Sequence, residues 1–280
     1  MIVPLRKGNA LLDHIHSVQG HQHRLDIWWL GQSGYLVKYK NSHLLLDPYL
    51  SDSLTKKYAD TDKPHVRMSE RVVDPAVLDF IDVVTSSHNH TDHLDAETLL
   101  PLMAVNPSLQ MVIPEANRDF VVNRLNCNQE YPIGLNTGET VTLNGWTLHG
   151  IPAAHNDLER DEMERCKFMG YVVQIGSFTL YHSGDTLWHD DIIEALRAFE
   201  IDVAMLPING NKPERRVAGN LDGEEAIRMA SVIGADLVTP CHYDMFTFNT
   251  ADPVVFAEQG EAVGQPYRIL ELGQHLTLVK

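Results

Sequence analysis

Between Asp26 and Leu50 short apolar runs alternate with turn residues, in the stretch DIWWLGQSGYLVKYKNSHLLLDPYL. Three strands are predicted there, broken at Gly31 to Gly34 and again at Lys40 to Ser42. A continuous apolar run around Ile81 to Val84 predicts a strand buried on both faces. DAETLLPLM then predicts a helix with Asp95 as its N-cap, and QMVIPEANRDFVVNRL a strand followed by a helix. Two hairpins follow, one turning at Asn144-Gly145 and one at Gly176-Ser177. In DDIIEALRAFE, Ile192, Ile193, Leu196 and Phe199 share one helical face. IDVAMLPI reads as a buried strand. DGEEAIRMASVIGA reads as a helix capped by Asp222, with Ala226, Met229, Ala230 and Ile233 on one side. The apolar segments DLVTPCHYD, YRILELG and HLTLV close the chain. The N-terminal DHIHSVQGHQH, with His14, His16, His21 and His23, reads as a polar leader before the first strand.

The order is antiparallel strands, then β-α-β, then both again. It predicts an α/β protein with a large sheet-rich core flanked by helices. No Pro/Gly/Ser-rich linker interrupts it, so one domain over residues 1–280 is expected. At 44% hydrophobic residues the chain can bury a sizeable core. The formal charge of −16 argues against long nucleic acids and against docking on an anionic membrane. Three scattered cysteines, Cys127, Cys166 and Cys241, fit a reducing cytoplasm better than a disulfide framework. Neither a signal-peptide pattern nor an apolar run of membrane-spanning length is visible, so a cytoplasmic location is expected.

Chemistry concentrates in TSSHNHTDHLD, Thr85 to Asp95, where His88, His90, Asp92 and His93 fall within six residues. This turn follows a buried strand, at the carboxyl end where α/β folds place their sites. His88 and His90, two apart in extended backbone, point the same way and can share one ion. Asp92 and His93 lie past the bend and can face a second. Imidazole with carboxylate suits zinc, manganese or iron. Further candidate ligands each follow a predicted strand: His155, Asp185 and His242. Asp185 can bridge two ions. The loop NGNKPERRVAGNLD gathers Lys212, Arg215 and Arg216, a candidate grip for a substrate phosphate or, equally, a solvated loop or subunit contact. The charged run NDLERDEMERCK is a candidate lid or plain exposed surface.

The H-x-H-x-D-H turn, His155, the HSGD at His182 to Asp185 and the late His242 resemble the metallo-β-lactamase superfamily. That resemblance implies a four-layer αββα sandwich and a one- or two-metal hydrolase. It assigns His88, His90 and His155 to one ion and Asp92, His93 and His242 to the other, with Asp185 between. Asp47, in LLLDP, would steady the histidine turn from behind. WWLGQSGYLVK, YHSGDT, IDVAMLPINGNKPERR and TPCHYDMFTFNTADP are similar to L-ascorbate-6-phosphate lactonases and their relatives. That narrower resemblance implies opening of a lactone or ester of a sugar-phosphate-like small molecule by metal-activated hydroxide, in a homo-oligomer. The expected cofactor is one or two divalent ions, manganese or zinc, with iron as a further candidate. Asp92, His93 and Asp185 are the candidate catalytic residues, and Tyr243 or His189 candidate proton donors to the leaving oxygen. The same site suits a phosphodiesterase, and a non-catalytic metal-binding protein is the third reading.

Overall fold

The structure, a computed structural model, describes residues 1–280. Thirteen strands form two sheets. The first half of the chain supplies β1 (Arg24–Gly31), β2 (Gly34–Tyr39), β3 (Ser42–Leu46), β4 (Val83–Thr85), β5 (Gln110–Pro114) and β6 (Pro132–Leu135). The second supplies β7 (Thr140–Leu143), β8 (Trp146–Pro152), β9 (Met169–Ile175), β10 (Phe178–His182), β11 (Val203–Pro207) and β12 (Leu237–Cys241). A last strand, β13 (His275–Val279), returns to pair with β1, so the seven-stranded sheet runs β13-β1-β2-β3-β4-β5-β6. The six-stranded sheet runs β12-β11-β10-β9-β8-β7. In each sheet hairpins give an antiparallel half, and β3 to β6 and β10 to β12 give a parallel half.

Parallel neighbours need crossovers, and helices make them. α1 (Asn9–Ser17) precedes the first sheet and α2 (Ser53–Lys57) follows β3. α3 (Ala96–Val105) and α4 (Arg118–Leu125) connect β4, β5 and β6. α5 (Asp190–Leu196) and α6 (Gly223–Val232) connect β10, β11 and β12, and α7 (Val254–Val263) packs on α6. Caps start α3 and α6 where the sequence suggests. Asp95 accepts from the Glu97 N–H, and Asp222 and Glu225 cap each other's backbone N–H reciprocally.

The sheets face each other across one continuous cluster of 68 buried residues that includes Trp28, Trp29 and Trp146. Two tyrosine hydroxyls inside this cluster are satisfied from sheet to sheet. The Tyr35 hydroxyl on β2 donates to the Pro240 carbonyl on β12 (2.9 Å). The Tyr171 hydroxyl on β9 donates to the Ser86 carbonyl just past β4 (2.9 Å). No helix is long and apolar enough to cross a membrane.

The N-terminal segment corrects the expectation of a polar leader. Residues 9–17 are helical, and Leu11 and Ile15, four apart, are buried among the histidines that obscured them. His14 accepts from the Trp28 indole N–H (3.0 Å). The Lys38 ammonium donates to the Ile15 and Val18 carbonyls, both at 2.9 Å, placing a cation at the helix C-terminus.

His43 on β3 gives the fold a pH-dependent weak point. Its ring is buried against Phe80, with centroids 4.8 Å apart, and its Nε2 has no partner. Burial, then the charge of Lys38, pulls its pKa from 6.5 to about 4, against the opposing pull of Asp82. The unfolded chain therefore takes up this proton first as pH falls. Stability is fully present above 6.5 and is lost as pH falls toward about 4. We expect His43→Gln to destabilise the protein more at pH 7.5 than at pH 5, read by urea titration at both. An equal cost at both values would refute this assignment.

Candidate metal centre

The site lies along one edge of the sandwich, at the carboxyl ends of β3, β4, β8, β10 and β12. Asp47, just past β3, is fully buried and organises the histidine turn. It accepts from the Thr85 hydroxyl (2.8 Å) and from the Ser87 N–H on both oxygens (3.1 Å each). Its Oδ2 lies 2.8 Å from His93 Nδ1. Burial alone would raise its pKa, but the bonds from His93 and Ser87 and the nearby His182 outweigh that and hold it low. Gly184 lets the HSGD segment pass over this turn. Its φ is 60°, and a Cβ there would stand 2.6 Å from that of Ser87.

All seven candidate ligands come together, in two groups. His88, His90, His155 and Asp185 form one, and Asp92, His93 and His242 the other, with ligand atoms inside each group within 4.8 Å of one another. Asp185 faces both. Its Oδ1 lies 2.9 Å from His242 Nε2 and 3.2 Å from His93 Nε2, and its Oδ2 lies 3.6 Å from His155 Nε2. The far sides of the rings are tied down. His155 Nδ1 donates to the Gly219 carbonyl (2.8 Å), and Ser87 Oγ lies 3.0 Å from His88 Nδ1. Fixing one ring nitrogen aims the other.

The donor set fits a divalent cation. His88 Nε2 is buried without a partner, and Asp185 Oδ1 receives no aligned N–H despite its two imidazole neighbours. Such atoms are costly to bury unless something else satisfies them. Burial, then crowding by neighbouring imidazoles, pushes His88 well below its usual pKa. Crowding by the surrounding protein brings His90 down to about 4, although its edge opens to the cavity. Both rings therefore present lone pairs, as ligation requires. Asp185 sits well below the carboxylate range, because His242 and His93 overcome the effect of its burial. Imidazole nitrogens with carboxylate oxygens suit zinc, manganese or iron. Cys241 is buried outside both groups, its Sγ 3.8 Å from Ser33 Oγ.

A cavity of about 480 Å³ opens onto this cluster. Its cations are ones that no motif in the sequence singled out: Lys57 and Lys63, and Arg124 on α4. Phe120 and Phe246 add apolar wall. The expected grip of Lys212, Arg215 and Arg216 is not where the structure puts these side chains. Arg215 turns to the Asn249 side chain (2.9 Å) and the Thr250 carbonyl (3.1 Å). Arg216 pairs with Asp62, and Lys212 is exposed. Their loop presents Val217 and Ala218 to the cavity instead. Residues 156–167, the candidate lid, contribute nothing to its lining. Tyr243 is no proton donor to the cavity, since its buried hydroxyl donates to the Leu270 carbonyl. His189 is half-buried, does not line the cavity, and caps α5 by accepting from the Asp191 N–H (3.1 Å). Sequence reasoning missed Gln32 as well, a turn residue whose side chain reaches Asp92 and His242.

Comparison with known proteins gives a consistent account. The family model described as "Beta-lactamase superfamily domain" matches residues 43–243, a stretch that holds all seven converging side chains. A "UPF0173 metal-dependent hydrolase" of Alkaliphilus metalliredigens is 29% identical over 242 residues, covering 84% of this chain and 92% of the relative. Another from Methanosphaerula palustris is 31% identical over 204 residues, covering 68% and 84%. Among solved structures, Igni18, a metallo hydrolase from Ignicoccus hospitalis, superposes with a TM-score of 0.67 at 21% identity, over 92% of this chain and 99% of that one. The two sheets with their flanking helices are the metallo-β-lactamase fold, and the chain belongs to the β-lactamase superfamily and, within it, to the family of UPF0173 metal-dependent hydrolases.

Proposed function

We propose that residues 1–280 work as one metal-dependent hydrolase domain that opens a lactone or ester of a small anionic, sugar-phosphate-like molecule. The observation that carries the reading is Asp185, whose two oxygens each face one group of imidazoles. A bridging carboxylate of this kind suits two divalent ions, manganese or zinc with iron as a further candidate. His88, His90 and His155 would hold one and Asp92, His93 and His242 the other. When bound, such ions make hydroxide available near neutral pH and polarise the carbonyl it attacks.

The chain's own residues supply the rest. Asp47 aims His93, and the Gly219 carbonyl aims His155. Asp92, at the cavity wall, is placed to orient the attacking water. Lys57 and Lys63 offer the substrate's anionic group a cationic mouth in a chain of strongly negative charge. The similarity of the WWLGQSGYLVK and YHSGDT segments to L-ascorbate-6-phosphate lactonases supports a lactone over other esters.

The same cationic mouth suits a phosphodiester, which makes that the second reading. The test is protein loaded with manganese or zinc, assayed on sugar-acid lactones with and without phosphate and on bis(p-nitrophenyl) phosphate. Lactone opening is expected, faster for the phosphorylated members. Phosphodiester cleavage beside inert lactones would replace this proposal with the second reading.

A further inference from the structure

Gln32 sits in the turn between β1 and β2 and is 4% exposed. Its φ is 51°, in the left-handed region that glycine enters freely and Gln does not. Gly31 and Gly34 flank the same turn, so the chain keeps a long side chain at the one position where glycine would relieve the backbone. That side chain is engaged through its amide nitrogen. Its amide nitrogen lies 2.8 Å from Asp92 Oδ2 and 3.0 Å from His242 Nδ1. Its backbone carbonyl, separately, accepts from the His242 N–H (3.1 Å) and from the Trp29 indole N–H (3.1 Å), which fixes the turn. Asp92 comes from the turn after β4 and His242 from the end of β12, on opposite sheets. Gln32 is the bond between them. His88 and His155 are instead tied to Ser87 and Gly219, out of its reach.

We infer that Gln32 is a positioning residue for one of the two metal groups: its amide clasps Asp92 and His242 together, so that the ion held with His93 depends on it while the ion at His88, His90 and His155 does not. The inference rests on the metal centre proposed above. It selects within that centre, because losing the amide lets Asp92 and His242 separate without disturbing the other rings.

The test strips the purified full-length protein of metal and titrates it with zinc by calorimetry, with metal content and melting temperature measured alongside. Wild type is expected to take up two ions. Gln32→Met, which keeps length and loses the donor, is expected to keep the first ion at wild-type affinity and to bind the second about 10- to 100-fold more weakly. Gln32→Gly, which relaxes the turn, should show the same selective loss while its metal-free form melts within about 3 °C of wild type. A merely structural role would lower the melting temperature and weaken both ions alike, and that result overturns the inference. So does a Gln32→Met protein that binds both ions as wild type does, which would leave the metal centre itself standing. A wild-type protein that takes up fewer than two ions overturns the two-ion reading and this inference with it.

Discussion

Asp185→Asn is expected to lower kcat/KM on the order of a thousandfold or more, because it removes the one side chain whose two oxygens face the imidazoles of both groups. Asn has a single acceptor oxygen and an amide nitrogen that can only donate. One of the two imidazole groups then faces N–H bonds where it faced a carboxylate. His93 and His242, both within 3.2 Å of Oδ1, lose their anionic neighbour. The loss should appear in kcat rather than KM, since Asp185 contacts the imidazoles of the proposed metal centre, whereas the proposed grip on the substrate is Lys57 and Lys63. Asp185→Glu keeps the charge but moves it by a methylene, and an intermediate loss is expected. Steady-state kinetics at saturating metal, with metal content measured on the same samples, checks both. An Asn variant within tenfold of wild type at saturating metal would overturn the proposal that Asp185 bridges the two groups.

The elements that hold these ligands were legible in the sequence for a physical reason. β4, β10, β11 and β12 are buried along almost their whole length, so they read as largely apolar runs, broken in β10 by Thr179 and His182 and in β12 by Thr239 and Pro240. The turns bearing His88 to His93, Asp185 and His242 begin where β4, β10 and β12 stop, and a run of known direction has a known carboxyl end. What stayed hidden has equally physical causes. β6 is the stretch PIGL, poor in strand propensity, and forms because it pairs in parallel with β5 and buries Leu135. α7 leaves Val254, Val255 and Val263 facing solvent, so no single apolar stripe announces it. The cations of the loop after β11 looked available because their partners are remote in sequence. Arg216 meets Asp62, 154 residues away. Gln32 reaches Asp92 across 60 residues and His242 across 210, and no local pattern encodes either distance.

Asp47 combines stability and site, and its variants should separate the two. The carboxylate is fully buried and satisfies the Ser87 N–H, the Thr85 hydroxyl and His93 Nδ1. Asp47→Ala strands these donors in the interior and leaves a β-carbon at φ 38°, where Asp is better tolerated than Ala. Removing one partner of a buried, hydrogen-bonded charged pair typically costs about 3–5 kcal/mol, and a loss of that size is expected in urea titrations run with chelator present. Chelator matters, because bound metal would add its own stabilisation to the native state and mask the difference. Asp47→Asn keeps the shape and an acceptor for Ser87 and Thr85, so its stability loss should be the smaller. Its amide cannot accept for the backbone and for His93 together as the carboxylate does, so His93 loses its fixed aim. We expect metal affinity at the Asp92, His93 and His242 group to fall about 10- to 100-fold in Asp47→Asn. The two variants thus rank in one order for stability and share the loss of metal. An Asn variant with wild-type metal affinity would mean that the histidine turn holds its shape without this carboxylate, and that its Ser87 and Thr85 bonds serve folding alone.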